Sequence, residues 1–260
     1  MNQKVAFSGL AAFTLTELLV VIAIVAVLVA LLMLGISRSK TKAQQIGCAN
    51  NLRQLGIGLQ SFVTENHAYP SFIGPTNSEN PGFWFDQLAS GGFGISKPVT
   101  NIAEGIWRCP SAPLKMAPPN DDVDFCSYGY NAYGGARPGW PGNYDNALGL
   151  RGSFVPGHTF SPRLRGFAPV NESEVAVPAD MMAIGESFNG GIRFDRLNRL
   201  NQRSSDRYWR AALTRHQGKM NVVFCDGHVE SPTPQFVFED SSDAALVRWN
   251  RDHQPHRDTL

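Results

Sequence analysis

The longest apolar run of the chain lies near its N-terminal end. Residues 18–36 carry no polar side chain, and one carboxylate, Glu17, stands at the N-terminal edge of the run. As a helix at about 1.5 Å per residue, this run spans about 28 Å, close to the hydrocarbon thickness of a bilayer. A core helix of a soluble domain has a polar face, and this run has none. The pattern therefore predicts a membrane-spanning helix.

A second apolar pattern follows and predicts that the helix continues with one buried face. Apolar residues recur at steps of three and four, namely Ile46, Leu52, Leu55, Leu59, Phe62 and Val63. This period is that of a helix that packs one face on a sheet. Gly47, Gly56 and Gly58 weaken the helix, and they leave two interpretations open: close approach of a neighbouring segment, or an irregular helix. We expect the helix to end near residues 66–69, because Pro70 disfavours helical backbone before it.

The remainder of the chain predicts a loop-rich head with short strands. Four segments are predicted strands by composition and by the turn residues that follow them: residues 106–109, 127–133, 181–185 and 220–225. Residues 83–88 predict a short helix, and residues 134–167 predict a long irregular insertion. Asp226 and Gly227 form the strongest two-residue hairpin signal, with His228 opening the return strand. The expected fold class is α+β, with the long N-terminal helix packed on an antiparallel sheet.

Composition fits a folded domain and excludes some functions. Of the 260 residues, 17% are charged and 43% hydrophobic, which is typical of a globular protein. The net charge of +1 gives no electrostatic case for binding nucleic acid. No G-x-S-x-G, H-E-x-x-H or P-loop motif is present, so we expect no catalytic residues and no enzyme activity.

Four cysteines leave several arrangements open: Cys48, Cys109, Cys126 and Cys225. No C-x-x-C pair exists, so their spacing is not that of a zinc ribbon or a thioredoxin site. In an exported protein, an even number suggests two disulfides, with three possible connectivities. The most local pairing joins Cys109 to Cys126, and a pairing of Cys48 with either would attach the helix to the head. Free thiols are the remaining alternative.

The order of residues around Glu17 resembles the type IV prepilin family. The segment F-T-L-T-E at residues 13–17 precedes L-L-V-V-I-A-I, whereas a secretory signal peptide would have a shorter run and a small-residue cleavage site. The resemblance implies cleavage by a prepilin peptidase between Ala12 and Phe13, followed by N-methylation. The family usually has Gly before the cut, where this chain has Ala12. It also implies that Glu17 pairs with the N-terminal amine of a neighbouring subunit. A carboxylate at headgroup level in contact with water is the alternative.

Landmarks further along resemble a narrower group of prepilin-processed proteins. His216 is followed after nine residues by Asp226 and Gly227, the H-x9-DG signature of that group. Residues 48–56 resemble pilin-like proteins related to the major pseudopilin of type II secretion. Cys109-Pro110-Ser111 and residues 248–256 also recur in the group. The resemblance thus covers most of the chain.

This resemblance implies a pilin-like fold in four parts. They are a leader (residues 1–12), a transmembrane and assembly half-helix (13–36), an amphipathic half-helix (37–68) and a β-rich head (69–260). The implied function is structural: a subunit of a type IV pilus-like filament or a type II secretion pseudopilus. Its implied partners are prepilin peptidase, an inner-membrane assembly platform, other pilin-like subunits including its own copies, and the bilayer before assembly.

The implied location is the bacterial inner membrane, with the N-terminus in the cytoplasm and the head outside. The positive-inside rule mildly favours the opposite orientation, because Arg38, Lys40 and Lys42 follow the span while Lys4 precedes it. Orientation therefore follows the resemblance here rather than the charge count.

Two rival functions use other residues. A membrane-anchored monomer could bind glycans with its aromatic-rich loops, and a metal-dependent enzyme could use His216, Asp226 and His228. For these three residues we favour a structural role, in which Asp226 shapes the turn and His216 packs or hydrogen-bonds beside it. We expect no resident cofactor. Calcium on Asp121, Asp122 and Asp124 is the alternative, although their spacing is not that of an EF-hand.

Overall fold

The computed structural model describes residues 14–74, 82–95, 104–112, 127–135, 147–161, 164–187, 194 and 215–259. Internal contacts divide the chain into two units, Met1–Lys42 and Ala43–Leu260. The architecture is a loose α+β arrangement, with one long N-terminal helix and a small antiparallel sheet.

Helix α1 runs from Leu15 to Asn66, so its C-terminal end lies where Pro70 predicts it. The helix stops because His67 adopts left-handed backbone (φ 52°), and its N–H donates to the Val63 carbonyl at 2.8 Å. This single bond back to the last turn is a common way to end a helix. A short helix, α2, follows at Trp84–Gln87, within the predicted segment.

The described residues also contain six strands and two further α-helices. Their bounds are β1 Tyr128–Tyr130, β2 Phe154–Ser161, β3 Leu164–Phe167, β4 Met182–Glu186, β5 Val222–Phe224, β6 Val229–Glu230, α3 Pro234–Phe238 and α4 Asp243–Leu246. The main sheet has the order β1-β4-β5-β6, and every pairing in it is antiparallel. Strands β2 and β3 form a separate antiparallel pair.

Three predicted strands are confirmed within a few residues, namely β1, β4 and β5. The predicted strand at residues 106–109 is wrong, since the chain forms a 3-10 turn at Gly105–Trp107. There the Trp107 ring packs edge-on against Trp84 and Phe93 instead of joining a sheet. The insertion at residues 134–167 is not wholly irregular, because it contains the β2–β3 pair.

The main sheet is covered on both faces. On one face, Val223 and Cys225 pack in the same cluster as Leu52, Leu55 and Leu59 of α1. On the other face, Met182, Val222 and Phe224 pack with Phe194, Val237, Phe238 and Trp249. Alternate residues of β5 therefore belong to different cores, as the period of two in a strand requires. This double cover explains why these short strands are apolar throughout.

The buried stripe of α1 differs from the prediction at its N-terminal end. Leu52, Leu55 and Leu59 are fully buried, as the spacing predicts. Ile46, however, is half-exposed, and the buried position on this face is held by Cys48. Cysteine packs like a small apolar residue, so the same period of three and four admits it.

Close approach, rather than irregularity, accounts for Gly47, Gly56 and Gly58 of α1. A Cβ atom on Gly56 would lie 2.6 Å from the Gly227 carbonyl oxygen and 2.7 Å from Val223 Cγ2. The β5–β6 turn thus rests directly on the helix backbone at Gly56.

Candidate functional site

Four chemically reactive side chains meet inside the head. Cys48 comes from α1, Cys109 follows the 3-10 turn, Glu186 ends β4, and His216 lies in the 3-10 turn Arg215–Gln217. All four are buried, with exposed fractions of 0%, 0%, 0% and 1%. One thiol, carboxylate or imidazole atom of each lies within 4.8 Å of all the others. We call these four residues the Cys/Glu/His cluster.

Glu186 Oε1 is the centre of the cluster. It lies 2.7 Å from His216 Nε2, 3.0 Å from Cys48 Sγ and 3.2 Å from Cys109 Sγ. Cys109 Sγ and His216 Nε2 are 3.4 Å apart. All four groups therefore point their polar atoms at one small volume.

Neighbouring backbone and side chains hold this geometry. The other carboxylate oxygen, Glu186 Oε2, accepts a hydrogen bond from the Asn221 N–H at 2.8 Å. Tyr128, which pairs with Glu186 across β1 and β4, donates its hydroxyl to Cys48 Sγ at 3.2 Å. These two bonds orient the carboxylate and one thiol.

The backbone at His216 is unusual. His216 has φ 46° and ψ 35°, in the left-handed region, and Gln217 follows with φ 61°. Non-glycine residues held in this region cost about 1–3 kcal/mol and concentrate at functional sites. Across the described residues, His216 Nδ1 is buried and has no hydrogen-bond partner. The Nε2 side of the ring therefore carries its polar contacts.

Burial and charge compete at the carboxylate and the imidazole. Burial opposes ionisation of Glu186, but the hydrogen bond and charge of His216 outweigh it and hold the pKa of Glu186 below its ordinary value. Burial alone would lower the pKa of His216, whereas its contacts with Cys109 and Glu186 raise that pKa to about 9. An ion pair between the two residues is the favoured state at neutral pH.

The two thiols differ in acidity. The hydrogen bond from Cys48 lowers the pKa of Cys109 to about 7, against the effect of burial. Burial, the contact with Cys109 and the charge of Glu186 raise the pKa of Cys48 well above its ordinary value. Two sulfurs, one carboxylate oxygen and one imidazole nitrogen are a donor set that could hold a transition metal.

The H-x9-DG residues do not form one site. Asp226 shapes the β5–β6 turn as predicted, since its Oδ1 accepts from the His228 N–H at 3.0 Å and lies 2.6 Å from His228 Nδ1. Gly227 has φ 88°, which favours glycine. His216 instead joins the Cys/Glu/His cluster. In the described part of the chain, no metal-capable group unites His216 with Asp226 and His228.

The structure tests the cysteine and calcium hypotheses only in part. Cys48, Cys109 and Cys225 are buried free thiols, while Cys126 lies outside the described residues. Cys48 and Cys109 do meet, at the place where a disulfide would attach the helix to the head. Cys225 lies apart from them and interacts with Tyr69. The proposed calcium ligands Asp121, Asp122 and Asp124 also lie outside the described residues.

The loop aromatic residues that the structure describes pack in or against the core. Phe72, Trp84 and Phe85 are buried, and Trp84 stacks on Tyr130 with ring centroids 5.4 Å apart. Phe83, Phe93 and Trp107 pack against the same cluster and are only partly exposed. Among the described residues, these rings do not supply the aromatic platform that a glycan-binding function requires.

The start of α1 carries a capping box. Thr14 Oγ1 accepts from the Glu17 N–H at 3.3 Å, and Glu17 Oε2 accepts from the Thr14 N–H at 2.9 Å and its hydroxyl at 2.7 Å. This reciprocal pattern satisfies two N–H groups that a helix start leaves unpaired. Ala12 and Phe13, the predicted processing site, lie outside the described residues.

The N-terminal part of α1 is long and apolar enough to cross a membrane. Fifteen large apolar side chains between Leu15 and Ile36 are 43–78% exposed. Full burial of so many side chains is worth roughly 20–45 kcal/mol, so water is a poor environment for this segment.

Glu186 and Thr14 were not predicted as site residues, although the sequence contains a signal for each. Glu186 ends an entirely apolar strand, and a carboxylate in such a position needs a partner. Thr14 and Glu17 form the T-x-x-E spacing of a capping box. The cluster itself could not be read from spacing, because 138 residues separate Cys48 from Glu186.

Comparison with protein-family models, with curated proteins and with solved structures finds no match for this chain. The function of this protein is therefore inferred from its own residues.

Proposed function

We propose that this protein is a pilin-like subunit, held in a membrane by α1 and then assembled with other copies into a filament. A prepilin peptidase would remove residues 1–12 and methylate Phe13. The head would face away from the cytoplasm. This proposal rests on the resemblance of residues 13–24 to type IV prepilins, and the geometry of α1 supports it.

The observation that carries the proposal is the uniform exposure of the apolar half of α1. The large side chains between Leu15 and Ile36 that the structure describes face outward on every side of the helix. Lipid can cover them in a membrane, and neighbouring copies of the same helix can cover them in a filament. A simple anchor needs only the lipid environment, whereas a pilin-like subunit is first surrounded by lipid and then by neighbouring helices.

The role of the Glu17 charge would distinguish a filament subunit from a simple anchor. In the single chain its carboxylate binds Thr14, so a helix cap alone explains its presence. For assembly we propose a second role, in which its negative charge pairs with the N-terminal amine of a neighbouring subunit. The two roles need different chemistry, because a cap needs only an acceptor oxygen while an ion pair needs the charge.

Substitution at Glu17 separates these roles. Glu17→Gln keeps an acceptor for the Thr14 N–H but removes the charge, and Glu17→Ala removes both. If charge drives assembly, both variants are processed and membrane-inserted, yet neither enters sedimentable polymers. Glu65→Gln, on the exposed surface of the same helix, is the matched control and should assemble normally.

The assay combines N-terminal mass spectrometry of the native protein with sedimentation and electron microscopy of sheared material. The proposal fails if the wild-type protein retains Met1 and forms no polymers. If the wild type polymerises and Glu17→Gln polymerises equally well, the pairing role of Glu17 is wrong.

A further inference from the structure

We propose that the Cys/Glu/His cluster is a structural zinc site, in which Cys48, Cys109, Glu186 and His216 bind one Zn²⁺ ion. The inference is independent of polymerisation and concerns only the unit Ala43–Leu260. It replaces the metal hypothesis based on His216, Asp226 and His228 with a set that retains only His216.

Distances within the cluster suit tetrahedral coordination. Zinc bonds of about 2.3 Å to sulfur and about 2.0–2.2 Å to nitrogen or oxygen place ligand atoms about 3.3–3.8 Å apart. Four separations in the cluster are 2.7, 3.0, 3.2 and 3.4 Å. Binding therefore requires Glu186 Oε1 to lie roughly 0.4–0.7 Å further from its three neighbours.

Charge and donor type favour zinc. Two thiolates select a soft or borderline metal over calcium or magnesium, and nitrogen and oxygen complete the set. Zinc binding displaces the protons of the thiols and the imidazole, and the ligands then carry three negative charges, which is costly in a buried site unless cations compensate. Zinc supplies two positive charges, and Arg215, the buried residue directly before His216, supplies a third.

The surroundings of the cluster resemble those of a metal site. Asn221 N–H holds Glu186 Oε2 away, so that Oε1 faces the other ligands. The Tyr128 hydroxyl donates to Cys48 Sγ, as a group that stabilises a thiolate would. Such outer partners position the ligands and raise affinity for the metal. The left-handed backbone at His216 turns its ring into the cluster.

Four buried protein ligands imply a structural site rather than a catalytic one. Catalytic zinc keeps one position open to water or substrate, whereas structural zinc is closed by four side chains. Here the ligands come from α1, the Cys109 loop, β4 and the turn at His216. One ion would thus join four segments that lie far apart in sequence. We infer that it holds this part of α1 against the sheet.

A disulfide between Cys48 and Cys109 is the competing arrangement, and the two make opposite predictions. A zinc site requires both sulfurs as thiolates, and removal of the zinc by a chelator makes both available to thiol reagents. A disulfide blocks both thiols and lowers the mass of the chain by about two daltons, the two hydrogens lost in forming the bond.

The first test uses the full-length wild-type protein in detergent, so it does not depend on any variant folding. We expect about one zinc per chain by elemental mass spectrometry, as for a closed structural site. Removal of zinc with a strong chelator should expose two additional reactive thiols and lower the Tm of the head, and ZnCl₂ should restore both. Replacement by Co²⁺ should give the absorption spectrum of tetrahedral cobalt with thiolate ligands.

Variants then identify the ligands. Cys109→Ser and His216→Ala should each reduce bound zinc to below about a tenth of an equivalent after dialysis against a competing chelator. Cys225→Ser is the matched control, since Cys225 is equally buried but outside the cluster, and it should retain zinc. Tyr128→Phe should retain zinc with an affinity about 10–100-fold lower.

Three results would overturn the inference. The first is a wild-type protein that contains no zinc and binds none when ZnCl₂ is added to the reduced protein. The second is a Cys48–Cys109 disulfide in protein isolated without reductant. The third is loss of zinc from Cys225→Ser as complete as from Cys109→Ser, which would place the site elsewhere.

Discussion

Replacement of Gly56 by Ala tests whether the Asp226–Gly227 turn is held against α1. The new methyl group would lie 2.6 Å from the Gly227 carbonyl oxygen and 2.7 Å from Val223 Cγ2. Protein Cβ atoms essentially never make contacts shorter than 3.0 Å, so the turn or the helix must move. The oxygen belongs to backbone, which cannot rotate away as the end of a side chain can.

Two opposing terms decide the size of the effect. Alanine is the better helix former by about 1 kcal/mol, which stabilises the variant. Overpacking of a well-packed core typically costs about 1–3 kcal/mol, and here two contacts are too short at once. We therefore expect a net destabilisation of about 1–2 kcal/mol, which for a head of this size lowers its Tm by roughly 2–8 °C.

Thermal unfolding of the full chain in detergent, followed by tryptophan fluorescence, measures this change. Trp84 and Trp249 are buried and so report loss of the head's core. Gly35→Ala is the control on the same helix, because a Cβ atom there meets nothing within 4 Å and Gly35 lies in the other unit. It should leave the Tm unchanged. A Tm for Gly56→Ala equal to or above that of the wild type would refute close packing of the turn on α1.

Two further predictions concern the cores on either side of the sheet. Leu55→Ala should lower the free energy of unfolding, measured by denaturant titration, by about 2–5 kcal/mol, because it leaves a cavity under the sheet. Ile57→Ala is the control, because this side chain is 69% exposed, and it should change the free energy of unfolding by less than about 0.5 kcal/mol. Asn131→Leu should cost about 2–4 kcal/mol by the same measurement, since Asn131 Nδ2 donates to the buried carbonyls of Met182 and Trp249 and the substitution removes both hydrogen bonds. Equal effects of the two α1 variants, or a neutral Asn131→Leu, would contradict these assignments.

Local patterns predict much of this fold because short-range physics controls it. The period of three and four places Leu52, Leu55 and Leu59 on one face, and Pro70 limits the helix, without reference to the rest of the chain. The strands β4 and β5 also follow from apolar runs bounded by turn residues. These features depend on neighbours in sequence, so the residues themselves contain the information.

The Cys/Glu/His cluster is the opposite case. Cysteine and histidine pack in a core as readily as they bind a metal, so their type alone does not select a role. Glutamate is almost never fully buried unless it is paired, and the apolar strand before Glu186 indicates that its carboxylate needs a partner without indicating which one. The four side chains come together only when α1, the Cys109 loop and the turn at His216 meet at the end of β4. Those contacts are long-range and are not encoded in any single motif.

The spacing of the H-x9-DG motif has a physical explanation in this fold. Its two ends are used differently: His216 joins the cluster that contains Cys48, while Gly227 lies against Gly56. Cys48 and Gly56 are eight residues apart on α1, which is about 12 Å along a helix. The residues between His216 and Gly227 include β5, whose alternate side chains enter the two cores.

One additional residue between these ends would place the wrong face of β5 toward α1, because the side-chain period of a strand is two. It would also displace either the imidazole from Glu186 or the turn from the helix. The imidazole can therefore contact Glu186, and the turn can contact α1, only when a fixed number of residues separates His216 from Gly227. The motif thus has a structural role, that of joining β5 to α1 at two points. This role does not require Asp226 to act as a ligand or a catalyst.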